Sequence, residues 1–260
     1  MSRSVTLTMN AGVATVTLSQ PEVRNAFSDE VIADITAAFE TVAQHTEVRA
    51  VVLAADGPAF CAGANLNWMR RMADYSREEN VADAGKLAQM LHTIYTCPQP
   101  TIARVQGDVF AGGMGLVAAC DMAVSVDTAQ FCLSEVKIGL IPATIAPYVL
   151  RAMGPRAAHR YFLTAERFDA AEALRMGFVH QVVHADELDN AVDSLLKHLM
   201  QAGPEAMKAC KKLVIDTAER SINDELTRET VQRIADIRAS SEGKEGVQAF
   251  LGKRKPSWLS

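Results

Sequence analysis

The chain has 260 residues, of which 49% are hydrophobic and 22% charged, and its formal net charge is −5. This composition supports a sizeable core in one or two domains and excludes a disordered tail or a coiled coil. The acidic balance argues against nucleic acid as the main ligand, and no apolar run approaches the ~20 residues that span a bilayer. The chain has five cysteines and no C-x-x-C pair, which predicts reduced thiols. The N-terminus has no apolar signal core, so a cytoplasmic protein is expected.

The first half of the chain alternates strand and helix patterns. Strands are predicted where apolar residues alternate or run together: Val5–Leu7, Val13–Leu18, Val48–Ala54, Thr101–Val105 and Met122–Val126. Ser28 is expected to cap a helix, in which apolar residues recur at helical spacing: Val31, Ile32, Ile35, Ala38, Phe39 and Val42. Ala55–Ala64 and Gly107–Gly112 are predicted loops, each leading into a helix.

The second half becomes helical. Pro142, Pro147 and Gly154 punctuate it, and helices are expected from Ala157 and Ala170. Gly177 is predicted to end the second of these before a strand over Phe178–Val183. From Asp186 onward the pattern is helical, with one break at Gly203-Pro204. Strands alternating with helices favour a mainly parallel α/β body followed by a helical tail.

Small residues crowd the two strand-to-helix loops at Phe60–Ala64 and Gly107–Gly113. Free backbone N–H groups at helix starts can be approached closely where side chains are small. Two such groups pointing at one carbonyl oxygen would form an oxyanion hole. Ordinary tight turns explain the same spacing equally well.

Nucleotide-binding motifs are weak or absent. Gly113–Ala118 matches G-x-G-x-x-A, but residues 106–112 separate it from the predicted strand, so the match is interpreted as accidental. The chain has no G-K-[ST] segment, and its six histidines show no metal-ligand spacing. No metal and no separate cofactor are therefore predicted.

Several segments together resemble the enoyl-CoA hydratase/isomerase (crotonase) superfamily. Phe60–Leu66 is similar to its A-G-A-D-[IL] segment, Gly107–Asp121 to its G-x-x-x-G-G-G-x-E block, and Phe131–Gly139 to its F-x-x-P-E-x-x-[LI]-G block. Arg24–Ala26 and Ala249–Arg254 match segments near the two ends. The resemblance covers almost the whole chain in order, which no single motif does.

The resemblance implies a fold and a site. The implied fold is an α/β spiral of strand-strand-helix turns, with a core over 1–200 and a C-terminal helical trimerisation region over 201–260. Family members hold an acyl-CoA thioester oxygen between two backbone N–H groups, which here are those of Ala64 and Gly112. Coenzyme A belongs to the substrate, and a homotrimer or homohexamer is expected.

The carboxylates depart from the family pattern. Family hydratases usually carry two glutamates; here the first position is Gly115 and the second is Glu135, twenty residues on (135 − 115 = 20). Ser134 and Asn65 replace the usual proline and aspartate. A functional Glu135 should be partly buried with a raised pKa, although a lone glutamate is more often a surface charge. The reaction is then hydration, or double-bond isomerisation with Glu135 alone.

The finer resemblance is to bacterial methylglutaconyl-CoA hydratases, through Asn65–Met72 and Cys132–Met153. It implies a branched substrate with a second carboxylate, with the missing side chain at Gly115 leaving volume for the branch. Candidate cations for that carboxylate are Arg70, Arg71 and Lys137, each of which is otherwise a surface charge.

The resemblance also implies contacts with coenzyme A and the acyl group, to which it assigns Arg24, Ala62, Leu66, Trp68, Gly115, Phe250 and Lys253. An aromatic residue at a helix start, such as Trp68, is more often part of the core. Cys61 has no nearby histidine to activate it and is interpreted as a packing residue, and Asp121 is interpreted as support for the fold. The basic run Lys208–Lys212 is interpreted as a solvated helix face rather than an RNA-binding segment.

Two other classes of function stay open. Loss of the glutamate at Gly115 is compatible with a non-catalytic acyl-CoA-binding protein or scaffold, which would bind thioesters without turning them over. A dinucleotide-dependent oxidoreductase is a remote further alternative, which NAD binding would revive.

Overall fold

A computed structural model describes residues 4–259. The main sheet has the order β1-β2-β3-β5-β7-β10, with β1 and β2 antiparallel and the other pairs parallel. Its strands are β1 Val5–Asn10, β2 Val13–Leu18, β3 Ala50–Ala55, β5 Thr101–Val105, β7 Met122–Val126 and β10 Gln181–Val183. Every residue of β3 is buried, as its continuous apolar run predicts.

A second, smaller sheet includes two segments for which the sequence predicted loops. It has the order β4-β6-β8-β9, with strands Ala59–Cys61, Asp108–Phe110, Gln130–Cys132 and Phe168–Asp169. The first three strands run parallel, and β9 is antiparallel to β8. The predictions of continuous loops over Ala55–Ala64 and Gly107–Gly112 were therefore wrong, because strands of three residues are too short to display an alternating pattern.

Ten α-helices surround the sheets within residues 4–259. They are α1 Asp29–Gln44, α2 Leu66–Ala73, α3 Arg77–Tyr95, α4 Gly112–Ala119, α5 Ala146–Thr164, α6 Ala170–Arg175, α7 Leu188–Gln201, α8 Pro204–Thr217, α9 Asp224–Ala239 and α10 Ser241–Leu251. Ser28 caps α1 by accepting from the Val31 N–H, and the six periodic residues of α1 are all buried. No helix among the described residues is long and apolar enough to cross a membrane.

Two predicted boundaries are wrong for identifiable reasons. Helix α5 begins at Ala146 rather than Ala157, and its backbone is non-helical at Gly154, just before Pro155. The predicted strand over Phe178–Val183 shortens to β10, since the Phe178 and Val179 N–H groups bond back to the Ala173 carbonyl. Gly177 permits this turn with a φ of 79°.

The three lysines of the basic run in α8, Lys208, Lys211 and Lys212, each form an ion pair. Lys208 pairs with Glu205 and Lys212 with Asp216 on the surface. The Lys211 side chain is only 7% exposed, and its ammonium group lies 2.7 Å from Asp121 and donates to the Gln99 carbonyl. Asp121 also accepts from the Thr101 N–H and hydroxyl. These contacts agree with a fold-supporting Asp121 and attach α8 to the ends of β5 and α4.

Replacing Lys211 with alanine is expected to lower the free energy of unfolding by about 2 kcal/mol, since it leaves the partly buried carboxylate of Asp121 without its charge partner. Lys212→Ala is the matched control: Lys212 is 72% exposed and pairs with Asp216 within one helix, so its loss should cost at most about 0.5 kcal/mol. Denaturant titration of both variants measures the difference. Equal losses would contradict a special role for the Lys211–Asp121 pair.

Candidate active site

The candidate site lies at one edge of the small sheet, where three neighbouring parallel strands end. Ala64 follows β4, Gly112 follows β6 and Glu135 follows β8, each within three residues of the strand end. The carboxyl ends of parallel neighbours meet at a common edge, so the fold brings these three positions together. The Ala111 N–H donates to the Cys132 carbonyl at 2.8 Å, which joins the second and third of these segments.

The backbone around Ala64 is held by a single β-bridge to Phe27. The Phe27 N–H donates to the Gly63 carbonyl, and the Asn65 N–H donates to the Phe27 carbonyl, both at 2.7 Å. Because successive N–H groups of an extended chain point to opposite sides, this pairing turns the Ala64 N–H away from Phe27. That N–H has no acceptor within residues 4–259.

Gly112 is the first residue of α4, where N–H groups lack intrahelical acceptors. It stands against the Phe27 ring: a β-carbon on Gly112 would lie 2.6 Å from Phe27 Cε2. The two loops also touch, since a β-carbon on Gly63 would lie 3.0 Å from that of Ala111. The two loops that carry these N–H groups are therefore in contact, which is compatible with an oxyanion hole formed between them.

Asn25 holds the segment that fixes the Ala64 loop. It is 2% exposed, donates from Nδ2 to the carbonyls of Asp56 and Ala59 at 2.8 and 2.9 Å, and accepts at Oδ1 from the Gln20 N–H. The Ala62 N–H in turn donates to the Arg24 carbonyl. The motif over residues 24–26 identified this segment in the sequence. The roles of Asn25 and Phe27 could not be predicted, because their partners are distant in sequence.

Glu135 combines partial burial with an unsatisfied carboxylate oxygen. It begins a 3₁₀ turn over Glu135–Ile138 that ends at Gly139, whose φ is 75°. Its Oε2 atom is buried and has no hydrogen-bond partner among the described residues. Burial raises the pKa of this carboxyl above its ordinary value, and a backbone hydrogen bond partly opposes the rise. Both properties expected of a functional Glu135 are present.

The expected free volume at Gly115 is absent, and that prediction was wrong. A β-carbon on Gly115 would lie 2.4 Å from Ile145 Cγ2, 2.9 Å from Ile145 Cβ and 3.3 Å from Leu91 Cδ2. Ile145 is 2% exposed and Leu91 is fully buried. The branched side chain of Ile145 therefore already occupies the place where a side chain at position 115 would begin.

The other sequence-predicted residues occupy three different environments. Arg24 lies 2.9 Å from Asp108, while Ala62 and the exposed Leu66 flank the Ala64 loop. Trp68 is 5% exposed, and its indole N–H donates to Asp83 at 3.3 Å. Phe250 and Lys253 are exposed at the end of α10, which packs on α8 and α9.

Cys61, next to the Ala64 loop, is a buried thiol. Burial raises the pKa of the Cys61 thiol to about 12, so it stays protonated, which supports its interpretation as a packing residue. Gly113 also has a packing role, since its β-carbon position is 2.8 Å from that of Cys61. No cluster of three metal-ligating side chains occurs within the described residues.

Comparison with known proteins identifies the family of this chain. The enoyl-CoA hydratase/isomerase family profile matches residues 8–260. The chain belongs to the enoyl-CoA hydratase/isomerase family. An enoyl-CoA hydratase from Shewanella pealeana superimposes with a TM-score of 0.96 at 42% identity, over 98% of this chain and 96% of that chain.

Other members of the family give the same result. An enoyl-CoA hydratase from Mycobacterium smegmatis has a TM-score of 0.94 at 34% identity and covers both chains fully. The enoyl-CoA hydratase ACTT6 of Alternaria alternata is 36% identical over 251 residues, which are 95% of this chain and 82% of that protein. The crotonase-like fold class predicted from the sequence is confirmed.

Proposed function

We infer that this protein adds water to the α,β double bond of an acyl-CoA thioester. The observation that carries the proposal is that Ala64, Gly112 and Glu135 each follow one of three neighbouring parallel strands, at the same edge of the small sheet. Family relatives named as enoyl-CoA hydratases support it. The buried, unsatisfied Oε2 atom of Glu135 favours catalysis over a purely acyl-CoA-binding protein, since burying a carboxylate without a partner costs stability and thioester binding alone does not require it.

In the proposed mechanism the two N–H groups bind the thioester oxygen. Glu135 removes a proton from a water molecule whose oxygen bonds to the β-carbon, and electron density moves from the double bond onto the thioester oxygen. The fixed donors stabilise this enolate more than the ground state, which accelerates the reaction. Glu135 then delivers a proton to the α-carbon, so that one water molecule has been added and no other reagent is consumed.

Double-bond isomerisation is the second candidate. Ile145 and Leu91 place hydrocarbon where a side chain at position 115 would point, so Glu135 has no second carboxylate beside it there. A single carboxylate is sufficient to move a proton along an allylic system. The two reactions differ in product mass, since only hydration adds the mass of water.

The proposed substrate is a branched thioester of the 3-methylglutaconyl type, whose distal carboxylate needs a cation. Arg70 donates to Asn67 and Arg71 pairs with Asp29. Lys137 is exposed and has no ion pair among the described residues. The exposed Arg167, which the sequence did not single out, stacks its guanidinium 5.1 Å from the Phe110 ring centroid and is likewise without an ion pair there.

Lys137 and Arg167 both lie near the site. Arg167 precedes β9 and falls opposite Cys132, one step beyond the Phe131–Phe168 pair. Burial raises the pKa of the Cys132 thiol, and the positive charges of Lys137 and Arg167 oppose that rise, as charges close to this thiol would. These two residues are the proposed carboxylate-binding pair.

Replacing Lys137 and Arg167 together with methionine is expected to lower kcat/KM for 3-methylglutaconyl-CoA about tenfold or more. The same change should leave 3-methylcrotonyl-CoA, which lacks the distal carboxylate, nearly unaffected. Steady-state rates with both thioesters, read by product mass, test this. Equal losses of kcat/KM for both substrates would indicate that Lys137 and Arg167 bind coenzyme A instead. Unchanged kcat/KM for both would show that neither residue contributes to substrate binding.

The proposed assembly is a homotrimer or a dimer of trimers. Helices α8 to α10 expose apolar side chains that a second copy of the chain would cover, including Val214, Val231, Ile234, Val247 and Phe250. In such an assembly Phe250 and Lys253 would reach the coenzyme A of a neighbouring subunit.

A further inference from the structure

Gly115 and Ile145 meet directly beside the oxyanion hole. Gly115 follows Gly112 by three residues in α4, so the two positions share one face of the helix. The Gly112 N–H is the proposed donor to the thioester oxygen. The group opposite Gly115 therefore borders the reacting carbons of a bound enoyl thioester.

That group is the side chain of Ile145, at the start of α5. Its Cγ2 and Cβ atoms lie 2.4 and 2.9 Å from where a β-carbon on Gly115 would be. The Ile145 carbonyl accepts from the N–H groups of Tyr148 and Val149, which fixes its backbone. A β-branched side chain has little freedom about χ1, so this wall is rigid as well as apolar.

We propose that Ile145 is a specificity-determining residue, whose Cγ2 methyl group limits the size of the substituent that an enoyl thioester carries on its β-carbon. The inference rests on the proposed hydration and names a determinant of its substrate range. Ile145 fills the space in which a side chain on Gly115 would begin, so this position is closed although the residue on α4 has no side chain. The three atoms nearest to a β-carbon on Gly115 belong to Ile145 and Leu91, so the wall at this point is hydrocarbon.

The test compares two thioesters that differ only at the β-carbon: 3-methylcrotonyl-CoA, with two methyl groups, and 3-ethylpent-2-enoyl-CoA, with two ethyl groups. Ile145→Ala should raise the ratio of kcat/KM for the ethyl over the methyl substrate about tenfold, the usual effect of one methylene in an apolar pocket. Ile145→Cys, which keeps one γ atom, gives a second measurement if the alanine variant does not fold.

Two control variants distinguish a specific contact between Ile145 and the substrate from a general effect of Ile145 on core packing. Ile145→Val keeps both γ carbons and should leave the ratio nearly unchanged. Val149→Ala removes equally buried hydrocarbon from the same helix and should also leave the ratio unchanged. A ratio that stays constant in folded Ile145→Ala and Ile145→Cys would overturn the proposal and make Ile145 an ordinary core residue.

Binding measurements test the role of Ile145 independently of the proposed hydration, because they do not require turnover. Dissociation constants of the same two thioesters are measured in a Glu135→Gln background, with and without Ile145→Ala. If the wild-type protein hydrates neither thioester, the hydratase proposal fails, whereas a shifted binding ratio still supports the wall. If hydration occurs and neither ratio shifts, only the inference about Ile145 fails.

Discussion

Replacing Glu135 with glutamine is expected to lower kcat for enoyl-CoA hydration by about two to four orders of magnitude. Glutamine keeps the size of the side chain but cannot take a proton from water. Binding of the thioester should change little, because the proposed oxygen contacts come from the backbone of Ala64 and Gly112. Stopped assays for kcat and a separate dissociation constant check the two halves of this expectation. Unchanged turnover would assign the chemistry to another group.

Glu135→Gln is also expected to change how the rate and the stability depend on pH. The wild-type rate should fall on the acid side as Glu135 becomes protonated, with a midpoint above 4.5, the ordinary glutamate pKa, because burial raises this pKa. A raised folded-state pKa also means that wild-type stability decreases as pH rises through it. Glu135→Gln should therefore melt higher than the wild type near neutral pH, and the gap should close as pH falls toward 4.5. A constant gap across this range would contradict an ionising buried Glu135.

Gly112→Ala is expected to lower kcat by about 10²–10³-fold, the usual cost of losing one oxyanion-hole donor. The added methyl group would lie 2.6 and 2.8 Å from two carbons of the Phe27 ring, so the start of α4 must move. Moving it turns the Gly112 N–H away from the thioester oxygen. Measured kcat and KM should show the loss mainly in kcat.

Two variants control for general disturbance of the fold by Gly112→Ala. Gly85→Ala adds the same methyl group in α3 where no atom lies within 4 Å, so activity should be unchanged. Adding Phe27→Leu to Gly112→Ala removes part of the obstructing ring and should recover part of the lost rate. If Gly112→Ala alone kept full activity, the Gly112 N–H would not be a catalytic donor.

Sequence patterns correctly predicted those helices and strands whose hydrophobic pattern lies within a single continuous segment. The apolar spacing of α1 and the continuous run of β3 identified a buried helix and a buried strand, because each extends over enough residues to display a period. The Gly203-Pro204 break correctly marked the start of α8. Motif resemblance supplied Ala64, Gly112 and Glu135 as candidates, and the structure places all three at one sheet edge.

What the sequence could not predict depends on contacts between distant segments. Strands β4, β6 and β8 each have only three residues, too few to display an alternating pattern. The segments that contain β4 and β6 were therefore predicted as loops, although all three strands border the candidate site. Ile145 lies thirty residues after Gly115 (145 − 115 = 30), and nothing in either segment indicates that one fills the space of the other. The Phe27 bridge that orients the Ala64 N–H is equally non-local.

The most direct test of the central claim is to run the wild-type protein with crotonyl-CoA and with 3-methylglutaconyl-CoA in ¹⁸O-labelled water. We predict a hydrated product with the label on its β-carbon, formed by the wild type and not by Glu135→Gln. An unsaturated product of unchanged mass, or bound thioester with no product, would contradict hydration by Glu135-activated water.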